Sequence, residues 1–111
     1  MAESIIPLSQ VILSTRIVEM VKKYDPDFNG VGFKIVNDRS FPLNDDRLSR
    51  ILQGIDMSTN LPPVDLQPKK LYIPPKKRQT NLLYFTVVNG RHRVAASLIR
   101  KKSHIRAVLR S

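Results

Sequence analysis

The sequence predicts an α+β fold, a small mixed sheet with about three helices, from three observations. Apolar residues recur at helical spacing in three separate stretches, those stretches alternate with β-branched runs of strand length, and 111 residues suffice for one hydrophobic core but not two. The expectation is therefore one domain over residues 1–111. With 41% apolar and 25% charged residues, the composition is that of a chain that folds.

The elements follow in order. "SIIPLSQVIL" opens with alternating apolar residues and a proline, which reads as a first strand followed by a turn. From Ser14 or Thr15 the spacing changes: Ile17, Met20, Val21 and Tyr24 share one helix face, Lys22 and Lys23 suit a helix C-terminus, and Pro26 sets the limit. "DPDFNG" is turn chemistry, and "VGFKIV" reads as a strand or hairpin arm. In "LNDDRLSRILQG", Asn44 or Asp45 caps, Asp46 suits the positive end, Leu48, Ile51, Leu52 and Ile55 form the apolar stripe, and Gly54 ends the helix.

"LPPVDLQPKKLYI" reads as a strand with Pro62 and Pro63 at its start, and "PPKKRQTN" as an exposed basic loop. "LLYFTVV" is apolar enough to be buried on both faces, and Asn89-Gly90 then turns a corner. "RVAASLIRKK" reads as a helix with Val94, Leu98 and Ala95 inward and Arg100, Lys101 and Lys102 in its last turn. In "SHIRAVLRS", Ile105, Ala107 and Leu109 alternate as a closing strand.

Charge divides the chain. Of the net +10, Met1 to Asp65 contributes seven basic and nine acidic residues, whereas Leu66 to Ser111 contributes twelve basic residues and no acid. A basic half of this kind fits a polyanion, and Lys69, Lys70, Lys76, Lys77, Arg78, Arg100, Lys101 and Lys102 are its candidate nucleic-acid contacts. No apolar run reaches the ~20 residues of a membrane span, no secretion signal is evident, and there is no cysteine. An intracellular chain without a membrane partner is expected, cytoplasmic or nuclear. Disulfides and cysteine nucleophiles are excluded.

The sharpest local feature is "VVNGRHRVAAS". A helix N-terminus presents N–H groups without acceptors and a positive partial charge, so three basic residues there are unfavourable unless an anion compensates. Gly90 admits close approach of a ligand to the backbone, His92 and Arg93 supply charge-assisted hydrogen bonds, and Arg91 faces a second phosphate or solvent. The competing reading is a surface corner whose basic side chains are hydrated or paired with acids of the first half.

"GRHR" joined to "VAAS" and the closing "IRAVL" resembles the signature of the ParB/sulfiredoxin superfamily. "IIPLSQVILSTR" resembles the family's opening strand and loop ending in Arg, "DDRLSRILQGI" its helix before the ligand, and "LPPVDLQ" the Pro-Pro-aliphatic-Asp-aliphatic strand of sulfiredoxins. The resemblance implies an α+β domain with a nucleotide or phosphate pocket at Gly90, Arg91, His92 and Arg93, to which Arg16 reaches from the opening loop. It also implies ATP, ADP or CTP, with magnesium, as candidate cofactors.

The departures are equally informative. Arg91 stands where sulfiredoxins carry the catalytic Cys and partition proteins a Glu, so sulfinic acid reduction by the cysteine route is excluded and metal-assisted CTP hydrolysis is disfavoured. Other chemistry has little support. His92 and His104 are the only histidines and do not form a metal site, and nothing marks Ser97 as a nucleophile. Asp45 and Asp46 read as caps, Asp56 and Asp65 as strand-end polarity, and Tyr72, Tyr84 and Phe85 as core rather than base-stacking residues. "PPKKRQ" is a solvated loop, a phosphate-backbone contact or a nuclear-import signal.

The reading is a nucleotide- or phosphate-binding domain whose basic C-terminal half associates with nucleic acid, with no assigned catalytic residue. The alternatives are a phosphotransferase or nuclease of the same fold, and a structural or packaging protein that binds nucleic acid by charge.

Overall fold

In the computed structural model, which describes residues 2–71 and 82–110, two segments far apart in sequence form the middle of the sheet. The elements are β1 (Glu3–Pro7), a 3-10 turn at Leu8–Gln10, β2 (Leu13–Ser14), α1 (Thr15–Tyr24), β3 (Ile35–Val36), α2 (Asp45–Asp56), β4 (Val64–Leu71), β5 (Leu82–Asn89), α3 (Arg91–Ile99) and β6 (His104–Leu109). The main sheet runs β1-β6-β4-β5, with β6 parallel to β4 and both outer pairs antiparallel. A separate two-stranded parallel sheet joins β2 to β3. The fold is a small α+β arrangement with three helices and a mixed four-stranded sheet.

Each helix start has a local cause. Ser14 caps α1 by accepting from the Ile17 N–H, and Asn44 caps α2 by accepting from the Arg47 N–H. Ile17, Met20 and Val21 of α1 are buried, as are Leu48 and Leu52 of α2, so each amphipathic face supplies a stripe to one core. α3 differs from both: Val94 to Ile99 are all buried, because the helix lies between α1 and α2 and against β4. Leu8, Leu13, Ile17, Leu48 and Leu66 are fully buried, each a contribution of about 1.5–3 kcal/mol in transfer terms.

Four local expectations need correction. α2 runs through Gly54 to Asp56 and stops where Ser58 turns left-handed, with the Thr59 N–H on the Gly54 carbonyl. Gly54 instead makes room for Leu61, whose Cδ2 would stand 3.1 Å from a Cβ at that position. "VGFKIV" yields only the two-residue β3, parallel to β2, rather than a hairpin arm. β5 is not buried on both faces: it sits at the sheet edge, with Phe85 in the core and Leu83 and Val88 exposed. Arg100, Lys101 and Lys102 lie just past α3, where Lys101 adopts the left-handed conformation and the Lys102 N–H returns to the Ser97 carbonyl.

No helix among the described residues is long and apolar enough to cross a membrane. The basic loop at 74–81 and Tyr72 lie outside the described residues.

Candidate functional site

β5 ends at Asn89 and α3 begins at Arg91, so the whole turn is made by Gly90. Its φ of +107° is one that L side chains rarely adopt. Helix geometry leaves the first-turn N–H groups of α3 without intrahelical acceptors, and Gly90 has no side chain with which to cap them. This turn borders a cleft of about 370 Å³ that is also lined by Arg47, Arg91, His92 and Arg93, with Phe41 and Ile51 among its apolar residues. None of the residues lining it is acidic.

The three basic side chains of "GRHR" are not loose. Arg91 folds back over the end of β5, donating from Nη2 to the Val87 carbonyl at 3.0 Å, and its guanidinium carbon lies 3.8 Å from the centre of the Phe41 ring. Arg93 donates from Nη1 to both the Pro62 and Pro63 carbonyls, each at 2.7 Å. These prolines precede β4, and their carbonyls meet the guanidinium where α3 passes them. His92 accepts the Asn44 N–H at Nε2, 2.8 Å away, and so pins the entry to α2. The carbonyl contacts relieve part of the cost of placing cations at a positive helix end.

Anchoring does not exhaust these groups. A guanidinium has five N–H donors, and Arg93 commits only Nη1 to the proline carbonyls. Its Nη2 lies beside Gly90, 3.1 Å from where a Cβ would stand. Burial lowers the pKa values of Arg91 and Arg93; Asp38 opposes this at Arg91 and Asp65 at Arg93, where Arg47 lowers it further. Both remain protonated, since a free guanidinium holds its proton far above neutral pH.

Burial, and then the charge of Arg47, also hold the His92 imidazole below the ordinary histidine value of about 6.5. Its acceptor role at Nε2 requires the neutral ring. The unfolded chain therefore takes up a His92 proton first as pH falls. Stability associated with neutral His92 is complete above about pH 6.5 and lost as pH falls through the lower folded value. The expected result is a urea midpoint that declines as pH falls below about 6.5, with a smaller decline in His92→Gln, whose amide oxygen can accept the same N–H. The lowered carboxyls of Asp25, Asp38, Asp45 and Asp56 act in a separate window, losing stability only below about pH 4.

The structure brings Gly90, Arg91, His92 and Arg93 together and leaves Arg16 out of the cleft lining; its Nε donates to the Arg39 carbonyl at 3.2 Å. Arg47 and Phe41 are cleft residues that the motif did not reveal. A signal existed for the first, because an Arg in the opening turn of α2, directly after two acids, opposes the helix dipole. Asp45, Asp56 and Asp65 pair with Lys23, Arg100 and Arg110 respectively. Among the described residues no group of three or more His, Asp or Glu is arranged to hold a metal ion.

The expected polyanion face is divided. Arg100 forms a two-point ion pair with Asp56, and Lys101 pairs with Asp25. Lys69 and Lys102 are exposed, and Lys70 belongs to β4. Lys76, Lys77 and Arg78 lie outside the described residues. No protein-family model matches this chain, and no curated protein matches it.

Proposed function

We propose that the cleft at the start of α3 binds a phosphate group, and that the chain is a ParB/sulfiredoxin-like domain recognising a nucleotide or the phosphate of a nucleic-acid backbone. The observation that carries the reading is a cleft lined by three guanidinium side chains, Arg47, Arg91 and Arg93, and by the first turn of α3, with His92 neutral beside them and no acid in its lining. The order of the motifs supports the family reading. The four lie along the chain as "IIPLSQVILSTR", "DDRLSRILQGI", "LPPVDLQ" and "NGRHRVAA".

ATP, ADP and CTP are the ligands to test. Magnesium would arrive with the phosphates, because no protein cluster is arranged for it among the described residues. The basic C-terminal half is proposed to add diffuse affinity for nucleic acid through exposed cations such as Lys69 and Lys102. The phosphotransferase or nuclease alternative gains no observation here: of its four candidate carboxylates Asp45, Asp56 and Asp65 each already hold a cation, and Asp46 is not among the residues lining the cleft.

Isothermal titration with pyrophosphate, ADP, ATP and CTP tests the reading. Saturable binding is expected, weakened about tenfold in Arg47→Ala, a loss of ~1.4 kcal/mol in keeping with one charge-assisted contact. Arg47 is exposed, so the substitution should leave the fold intact. No binding by folded protein, or equal affinity in Arg47→Ala, would overturn the assignment.

A further inference from the structure

A second cavity, of about 400 Å³, opens between the C-terminal end of α2, the inner part of α3 and the start of β6. It differs in chemistry from the phosphate cleft. Ile55, Leu61, Val64 and Ile105 give it an apolar floor, and Thr59, Lys102 and His104 lie around it with no acidic residue in the lining. Its size falls within the ~300–1,000 Å³ range of small-molecule sites, and an apolar floor with a few convergent polar groups is their usual composition.

Two details point to a ligand. Ser97 is the only buried polar or charged residue in the chain's described core, within a helix segment in which Val94, Ala95, Ala96, Leu98 and Ile99 are buried on all sides. It lines this cavity, and among the described residues its hydroxyl makes no side-chain hydrogen bond, so a donor and acceptor is available inside an apolar wall. The cations are also unequally occupied. Arg106 is committed to Glu3 through two nitrogens and to Asn60 and the Leu61 carbonyl through the third. Arg93 is anchored on the prolines, and the His104 Nδ1 shares a hydrogen bond with Ser103. Lys102 has no ion-pair partner among the described residues.

We propose that this cavity is a second small-molecule site, separate from the phosphate cleft, for a compact amphipathic anion. The ligand's ring-sized apolar body rests on the Ile55, Leu61, Val64 and Ile105 floor, Ser97 hydrogen-bonds to it within the cavity, and its carboxylate or similar group meets Lys102 at the rim. Arg93 lines both cavities and forms the wall they share.

The test uses 2-naphthoate as probe, with neutral 2-naphthamide as control, followed by amide NMR of the labelled chain. The expected result is saturable shifts centred on Ser97 and Ile105, with naphthamide weaker by about 2- to 5-fold, the scale of one exposed ion pair. Lys102→Glu should reduce naphthoate affinity by at least that factor and leave naphthamide unchanged. Ser97→Leu, which fills the cavity, should abolish binding of both. Should Ser97→Leu fail to fold, the surface variant Lys102→Glu still decides the matter. No saturable shift at Ser97 and Ile105, equal affinity for the two probes, or shifts centred on residues 90–93 would overturn the proposal. A parallel pyrophosphate titration reports on the Gly90 cleft, so failure of one site is distinguishable from failure of the other.

Discussion

Gly90→Ala should lower stability by about 2–4 kcal/mol and the melting temperature by roughly 10–20 °C. Two costs add. An alanine held at a φ of +107° is strained by about 1–2 kcal/mol, and its Cβ would stand 2.6 Å from Val64 Cγ1 and 2.9 Å from Val64 Cβ, inside any tolerated contact. Val64 is buried at the head of β4 and cannot swing away. The same Cβ crowds Arg93 Nη2, so any folded Gly90→Ala protein should also lose pyrophosphate affinity. Thermal melts of Gly90→Ala, Val64→Ala and the double variant separate the two costs. The double variant should be more stable than the sum of the singles predicts, since removing the valine methyls relieves the 2.6 Å contact with Cγ1, although the 2.9 Å contact with Cβ and the backbone strain remain. Additivity within ~0.5 kcal/mol would mean that the Val64 methyls are not the obstacle.

Leu48→Ala should cost about 2–5 kcal/mol by loss of buried area and creation of a cavity. Leu48 is fully buried, and with Leu52 it is the means by which α2 holds to the core. The consequence reaches beyond stability. Arg47, the Asn44 N–H bonded to His92, and Ile51 of the cleft wall all belong to α2 or its cap, so loosening the helix displaces one side of the phosphate cleft. Urea titration should show a lower midpoint with an unchanged slope, and phosphate affinity should fall although Leu48 touches no ligand. A stable variant with full affinity would show that α2 is held by something other than these two leucines.

What could be read from sequence depended on how local its cause was. The starts of α1 and α2 were legible to within one residue, at Ser14 or Thr15 and at Asn44 or Asp45, because a cap and the apolar stripe behind it lie within a few residues; the structure selects Ser14 and Asn44. The corner at Gly90 was legible for the same reason. β5 misled because "LLYFTVV" says that the residues are apolar but not that the strand lies at the edge; strand order belongs to the whole chain. Gly54 misled because its use is to admit Leu61, a tertiary contact. At the site, the residue types of the motif were legible, but the carbonyls that hold Arg93 lie 30 and 31 residues earlier. Arg47 enters the cleft only because α2 packs on α3, which no spacing rule near "GRHR" conveys.

The strand order has a temporal meaning. β6 is the last of the described strands, yet it lies between β1 and β4, and the Glu3–Arg106 ion pair spans 103 residues. A ribosome delivers β1 and β4 long before the strand that joins them, so both wait with unbonded edges during synthesis. Productive folding is deferred until β6 has been delivered, and closure of so long a loop makes it slow. Nascent chains stalled before His104 should therefore be recognised as unfolded by the cell's quality-control machinery, however well α1 and α2 have formed.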